Sequence, residues 1–289
     1  MITPPAYATM SMLLGLNDFG DSIAPMCNEI GRTMALSVEK FLKIIRKAGE
    51  AVLEIEKTGD FQVTDKGGND PLTLADLRAN EILSELQKEV PGSFFFSEES
   101  IEEPGRQEAD FVWIVDPIDG TREFVKSIPE YALSVALVRR GRILFSCVYN
   151  PHHSLAYMVE GKGLTVETVE TPLELGGEGF CVSRSEYEKG LFEPLGSHFE
   201  FHKVGSIAFK LSLVAQGVYP ACISLRPKNE WDIAGGVGLV EASRKSVCDI
   251  YGRKFQWNRG MRLAGVVAGT DETVRNLFAD KPLVHYFKA

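Results

Sequence analysis

Apolar positions in the first clear element recur every three or four residues. Val38, Phe41, Leu42, Ile45, Val52 and Ile55 share one face of a helix predicted over 37–57, and Gly59 is its expected stop. A loop rich in Gly and Asp follows at 64–71. A second helical pattern runs from Thr73 to Glu89, with Leu74, Leu77, Leu83 and Leu86 as its apolar face and Pro91-Gly92 closing it. The chain then turns to strands. Phe94–Phe96 is short, and Phe111–Val115 is a buried apolar run. Ala132–Val138 and Ile143–Tyr149 are joined by Arg139-Arg140-Gly141-Arg142, a hairpin signal. Beyond about residue 180 the pattern alternates, with strands at 180–183, 201–204, 219–225, 246–250 and 264–268. Helices are expected at 186–195, 206–216 and 232–242.

The first half thus reads as α+β with a meander and the second as alternating α/β, which predicts a layered arrangement with a cleft between halves. The expected divisions are 1–33, 34–180 and 181–289. The first is a loosely ordered extension, or it precedes the true start; the other two form one compact unit.

Composition narrows the class. Of 289 residues, 44% are apolar and 25% charged, which suits a folded protein and excludes disorder or a coiled coil as the main state. No run approaches the roughly 18–20 apolar residues of a membrane span, so no membrane partner is expected. The balance of 31 basic against 40 acidic residues gives a net charge of −9. That argues against polymeric nucleic acid as a partner, yet allows a small anion if cations bridge the charges. The five cysteines, Cys27, Cys147, Cys181, Cys222 and Cys248, lack zinc-site spacing and read as reduced thiols of a cytoplasmic protein. The first basic residue is Arg32, so no signal-peptide n-region is expected. His152 and His153 fall in a turn beside Pro151 and are not read as a metal site.

Chemistry concentrates in four acidic elements. The strand Trp113-Ile114-Val115 ends in Asp116-Pro117-Ile118-Asp119-Gly120-Thr121. Pro117 is expected to stop the ladder, and Gly120 lets the backbone turn tightly. Two carboxylates held close on such a turn need a proton or a cation. Ser97-Glu98-Glu99-Ser100 follows the Phe94–Phe96 strand. Asp70–Asp76 opens the second helix, with Thr73 and Asp76 at N-cap and N3 spacing. Asn229–Gly236 opens another, with Asp232 as a natural N-cap and Gly235-Gly236 permitting close packing or ligand approach. Taken singly, each is also explained as a cap, a turn or a solvated surface. Together, Glu98, Asp116, Asp119 and Asp232 supply the hard oxygen ligands that Mg²⁺ prefers, enough for two ions clamping a phosphate.

At these residues the chain resembles the inositol monophosphatase superfamily of Mg²⁺-dependent, often lithium-sensitive phosphomonoesterases. Asp70–Asp76, Ser97–Ser100, Trp113–Phe124, Val182–Ser185, Val204–Ser206 and Trp231–Gly236 carry the resemblance in the family's order. It implies the layered α-β-α-β-α sandwich of that fold and one catalytic unit. It implies Glu98, Asp116, Asp119, Asp232 and the Ile118 carbonyl as ligands for two or three Mg²⁺, with Mn²⁺ as a substitute. Asp76, Thr121 and Glu98 become the catalytic group, Asp76 acting on the Thr121 hydroxyl that holds the attacking water. Gly120, Thr121, Gly205, Ser206 and Asp232 become substrate contacts.

Thr121-Arg122-Glu123-Phe124 resembles the 3′(2′),5′-bisphosphate nucleotidase branch of CysQ type. Lys210, Arg226 and Lys228 are bases suited to a second phosphate. The implied reaction is hydrolysis of 3′-phosphoadenosine 5′-phosphate to AMP. Ser127-Ile128-Pro129-Glu130 fits the inositol monophosphatase pattern equally, so an inositol phosphate or another small sugar phosphate is the alternative substrate. A non-catalytic nucleotide or metal sensor is the alternative of another class. The implied partner is a small anionic phosphate ester, bound by a monomer or homodimer.

Overall fold

The helical pattern of 37–57 is realised as α1 (Ala24–Thr58) in a computed structural model, and it stops where expected, at Gly59 with φ +68°. The structure describes residues 24–65, 67, 71–160, 162–169, 175–260 and 262–279, with the backbone alone at 24–37, 196–198 and 279. Asp70, the Cys27 side chain and most of the expected 1–33 extension lie outside the described residues. The chain falls into two compact units divided between Leu42 and Lys43, so α1 runs through the division. Everything that follows belongs to the larger unit.

The loop at 64–71 contains a small hairpin of β1 (Thr64–Asp65) and β2 (Pro71–Leu72). The second helix is broken into α2 (Leu74–Leu83) and α3 (Leu86–Glu89). Its predicted face is corrected: Leu74 and Leu77 are exposed, and the buried stripe is Ala75, Ala79, Ile82, Leu83 and Leu86. Thr73 sets that phase, because its capping box with Asp76 fixes where the first turn points.

β3 (Phe94–Ser97) lies parallel to β4 (Phe111–Asp119), and α4 (Thr121–Val125) follows β4 directly. β5 (Ala132–Arg139) and β6 (Arg142–Asn150) form the predicted hairpin, with Arg140 and Gly141 both at positive φ as a twisted two-residue turn requires. β7 (Ser154–Val159) and β8 (Thr165–Thr168), absent from the sequence reading, extend the meander to six strands in the order β3-β4-β5-β6-β7-β8. One expectation about β4 is corrected. Pro117 does not end the ladder: Asp116 pairs with Ser134 and Asp119 with Ala132 across a bulge. The bulge absorbs the residue that has no N–H to donate.

The second half supplies β9 (Phe180–Ser183), α5 (Arg184–Glu188), β10 (Phe201–Val204), α6 (Ile207–Gln216), β11 (Ala221–Ser224), α7 (Glu230–Ala242), β12 (Ser246–Cys248), β13 (Val266–Gly269) and α8 (Asp271–Ala279). Its sheet runs β10-β9-β11-β13-β12, with β10, β9 and β11 parallel. The expected helix at 186–195 is the short α5 plus a 3₁₀ turn at Glu193–His198.

Alternation along the strands places the layers. Val112 and Ile114 of β4 share a core with Ile233, Val237 and Val240 of α7, Leu211 and Val214 of α6, and Cys181, Cys222 and Ala268 of the second sheet. On the outer face of that sheet, Val182, Ile223 and Val267 pack with Val274 and Leu277 of α8. α2 covers β4 on the other side, where the buried Trp113 and Val115 alternate with Val112 and Ile114. The order is therefore α2, sheet, α6–α7, sheet, α5–α8: the layered α-β-α-β-α arrangement. Gly235 and Gly236 serve packing here. A Cβ at Gly235 would lie 2.8 Å from Ser134 Oγ on β5, and one at Gly236 would lie 2.6 Å from Leu211 Cβ on α6. Among the described residues, no helix is long and apolar enough to cross a membrane.

Candidate phosphate-ester site

Strand ends and helix starts of the larger unit converge on one cavity of about 260 Å³. Its lining includes Glu98, Asp116, Ile118, Asp119, Gly120, Thr121, Gly205, Ser206, Lys210 and Asp232, which brings together most of the predicted site residues. The volume lies just below the roughly 300–1,000 Å³ of drug-sized ligand sites and suits a small molecule.

The acids are gathered by local rules. Glu98 follows β3, and its N–H bonds the Val115 carbonyl at 3.2 Å, so the β3–β4 pairing sets it beside the bulge. Asp116 is 2% exposed, and one of its oxygens accepts the Ile118 N–H at 3.0 Å. Asp232 is corrected from N-cap to N3 of α7: Asn229 is the cap residue, and its N–H donates to Asp232 Oδ2 at 2.7 Å. One carboxylate oxygen from each of Glu98, Asp116 and Asp232 lies within 4.8 Å of the others.

Asp119 is held differently. Its Oδ2 accepts both the Ser206 hydroxyl and the Ala208 N–H at 2.6 Å, at the N-terminus of α6. Ser206 takes φ +48° to make that contact. Gly120 has φ +96°, and a Cβ there would lie 3.1 Å from the Glu130 carbonyl and 3.2 Å from Ser206 Cβ, so the turn needs glycine.

Electrostatics follow from the crowding. Burial pushes the Asp116 carboxyl well above the usual range, and the charges of Glu98, Asp119, Asp232 and Asp76 push it further. Burial and then Asp119 raise Asp232 to about 7. Burial raises Asp119 too, against the Ser206 and Ala208 hydrogen bonds, which favour its charged form. Among the described residues, no lysine or arginine forms an ion pair with Asp116 or Asp232. Carboxylates crowded this closely, offering hard oxygens from three directions, fit a divalent cation.

Beside this cluster Thr121 Oγ lies 3.3 Å from Asp76 Oδ1 and 3.0 Å from the Ile118 carbonyl. Asp76 is 2% exposed, and its other oxygen accepts the Thr73 N–H at 2.8 Å and the Thr73 hydroxyl at 2.6 Å.

The basic candidates separate. Lys210 is 2% exposed and donates to the carbonyls of Val204, Gly205 and Ser206 at 3.0, 3.2 and 2.8 Å. An ammonium has three N–H groups, so Lys210 keeps none for a ligand and acts only through its field. Arg226 is exposed and does not line the cavity, whereas Lys228 does. The sequence reading missed two buried acids. Glu130 accepts the Gly205 N–H at 2.7 Å and pairs with Arg184 at 2.6 Å. Glu186 is 1% exposed and accepts the Ser224 hydroxyl at 2.7 Å and the Leu225 N–H at 2.9 Å. Their partners are 38 to 75 positions away, and no local pattern announces such contacts.

This fold and this acid cluster define a metal-dependent phosphatase class, and the profile of the inositol monophosphatase family matches residues 36–280. The chain belongs to the inositol monophosphatase family, whose members act on small phosphate esters. Among similar proteins is the Nus factor SuhB of Salmonella typhimurium, 30% identical over 256 residues, covering 83% of this chain and 93% of that one. The 3′(2′),5′-bisphosphate nucleotidase CysQ of Escherichia coli is 29% identical over 239 residues, covering 76% and 93%. The crystal structure of the extragenic suppressor protein SuhB from Bartonella henselae superposes with a TM-score of 0.70 at 26% identity, covering 83% and 96%.

Proposed function

We propose that the protein is a Mg²⁺-dependent phosphomonoesterase that removes the 3′-phosphate of 3′-phosphoadenosine 5′-phosphate, giving AMP and inorganic phosphate. One observation carries the hydrolytic reading: the Glu98–Asp116–Asp232 cluster shares a cavity with a Thr121 hydroxyl that is hydrogen-bonded to Asp76. The choice of nucleotide is supported by Thr121-Arg122-Glu123-Phe124 and by the similarity to CysQ.

Glu98, Asp116, Asp119, Asp232 and the Ile118 carbonyl would hold two or three Mg²⁺, for which Mn²⁺ can substitute. When bound, such cations neutralise phosphate charge and acidify water. With its own proton turned to Asp76 or to the Ile118 carbonyl, Thr121 Oγ presents lone pairs toward the cavity. It can accept a hydrogen bond from the attacking water and orient it, with Asp76 as the eventual proton acceptor. Water then forms the new P–O bond as the ester P–O bond breaks. Gly120 and Thr121 N–H groups at the start of α4, with Gly205 and Ser206, frame the phosphate. Four buried free thiols, at Cys147, Cys181, Cys222 and Cys248, suit a reducing, cytoplasmic setting for this monomer or homodimer.

A second reading, hydrolysis of myo-inositol phosphates, is favoured by the Ser127–Glu130 pattern. A phosphate-release panel with Mg²⁺ tests both. The nucleotide bisphosphate is expected to give the highest kcat/KM; faster turnover of inositol 1-phosphate reverses the ranking. Nucleotide binding with no turnover of any ester would support a sensor. Lithium competition for a cation site is measured in the same assay.

A further inference from the structure

Four residues of the cavity lining have no part in the hydrolytic reading: Ser183, Ser185, Ser224 and Lys228. Ser183 and Ser224 are the last residues of β9 and β11, neighbouring parallel strands of the second sheet. The region beyond the carboxyl ends of parallel strands is where open α/β sheets bind ligands.

Lys228 is fixed there from both sides. Its backbone N–H bonds the Leu263 carbonyl at 2.9 Å, and the Leu263 N–H bonds its carbonyl at 2.8 Å. Its side chain is 16% exposed, and the nearest acid is Glu186 Oε1 at 3.6 Å, beyond hydrogen-bond distance. Glu186 is already committed to the Ser224 hydroxyl and to the N–H groups of Leu225 and Arg226, at 2.7, 2.9 and 3.2 Å. The Lys228 ammonium makes no hydrogen bond among the described residues, in contrast to Lys210 with its three carbonyls. The cavity thus holds a pre-positioned cation with N–H groups available, in a lining that also carries the Ser183, Ser185 and Ser224 hydroxyls and the acid cluster.

The geometry points to Lys228, with Ser183, Ser185 and Ser224, as a subsite for a second phosphate on the substrate. The site then takes bisphosphorylated esters in preference to monophosphates of neutral alcohols. This rests on the phosphatase reading above and names the residue that sets its specificity. A neutral hydroxyl leaves the ammonium with only the Glu186 charge at 3.6 Å and no charge-assisted hydrogen bond, whereas a phosphate supplies such bonds.

The test compares wild type, Lys228→Met and Lys228→Arg, all Mg²⁺-loaded, on adenosine 3′,5′-bisphosphate and 3′-AMP, which differ only in the 5′-phosphate. In wild type the bisphosphate is favoured. In Lys228→Met the bisphosphate-to-monophosphate ratio of kcat/KM falls roughly 10- to 100-fold through KM, as loss of a charged hydrogen bond predicts. Lys228→Arg restores most of it, and an unchanged circular-dichroism melt shows the variants folded. An unchanged ratio in a folded Lys228→Met overturns the subsite. If wild type cleaves neither nucleotide, the nucleotidase reading fails separately. The ratio is then read on inositol 1,4-bisphosphate against inositol 1-phosphate, where the same loss sustains the subsite and no change overturns it.

Discussion

Without cations the gathered carboxylates make folding pH-sensitive, and the sign is fixed. Burial and the neighbouring charges raise the Asp116 and Asp232 carboxyls, Asp232 to about 7. A carboxyl raised on folding binds more protons in the folded state. Its stability contribution is therefore full below the unfolded pKa and is lost as pH rises through the folded value. For Asp232 the window runs from the ordinary 3.8 up to about 7. Three units correspond to about 4 kcal/mol, and solvent in the open cavity reduces this to about 2 kcal/mol. Asp116→Asn deletes one charge, while its amide oxygen can still accept the Ile118 N–H. In EDTA at pH 8 the variant is expected to be about 1–2 kcal/mol more stable than wild type, and at pH 5 the gap closes. Saturating Mg²⁺ reverses the order. Wild type gains about 2.7 kcal/mol at a hundredfold excess over Kd, and the variant gains much less. Urea denaturation followed by far-ultraviolet circular dichroism, at both pH values with EDTA or Mg²⁺, reads all four differences. A variant less stable than wild type in EDTA at pH 8, or a wild-type curve that ignores Mg²⁺, refutes the reasoning.

Thr121→Ala removes the hydroxyl between Asp76 and the Ile118 carbonyl. kcat in phosphate release should fall about 10²- to 10⁴-fold with Mg²⁺ stabilisation retained, and unchanged kcat would remove Thr121 from the water-orienting role. Gly235→Ala forces a Cβ to within 2.8 Å of Ser134 Oγ and 3.0 Å of the Cys147 carbonyl. The cost should be about 1–3 kcal/mol, seen as a Tm several degrees lower; an unmoved Tm would show that α7 has room to shift. Glu230→Gln weakens a carboxylate that accepts the N–H groups of Asn258, Arg259 and Gly260 at 2.6, 2.7 and 2.7 Å. It should cost about 2 kcal/mol and speed proteolytic nicking at 258–260; resistance equal to wild type would count against a tether.

What the one-dimensional pattern conveys well here is local. The β5–β6 hairpin, the Thr73–Asp76 capping box and the stop at Gly59 depend on residues within a few positions of each other, and each was readable. Leu74 and Leu77 mislead because leucine spacing alone does not fix helix phase; the cap does, and it turns the alanines inward. β7 and β8 were missed although β7 is mostly buried, since Ser154–Val159 lacks strict alternation and β8 is an exposed edge strand. Within the site, the acids were legible because they sit at strand ends and helix starts. The bases were not: whether Lys210, Arg226 or Lys228 faces a ligand depends on carbonyls and on Glu186, contacts that only the fold creates.

The cap reading and the ligand reading of these acids turn out not to compete. A carboxylate has two oxygens, and in Asp76, Asp116, Asp119 and Asp232 one of them accepts a hydrogen bond that holds the backbone or a neighbouring hydroxyl. Asp76 Oδ2 bonds the Thr73 cap, Asp116 Oδ1 the Ile118 N–H, Asp119 Oδ2 the start of α6, and Asp232 Oδ2 the Asn229 N–H. The structural bond aims the side chain, and one oxygen each of Asp116 and Asp232 lies within 4.8 Å of the other acids of the cluster. Such pre-orientation matters because a mobile carboxylate would lose rotamer entropy on every binding event. It also means that aspartate-to-asparagine changes separate the two duties, since the amide oxygen can keep the cap while the charge is lost. Asp232→Asn should therefore leave α7 capped and the melt in EDTA no lower than wild type, while Mg²⁺-dependent stabilisation and phosphate release both collapse. Asp232→Ala, lacking both oxygens, should lose about 1 kcal/mol of stability as well. Equal melts in EDTA for the two variants would show that the cap contributes nothing, and the account of how this acid is aimed would fail.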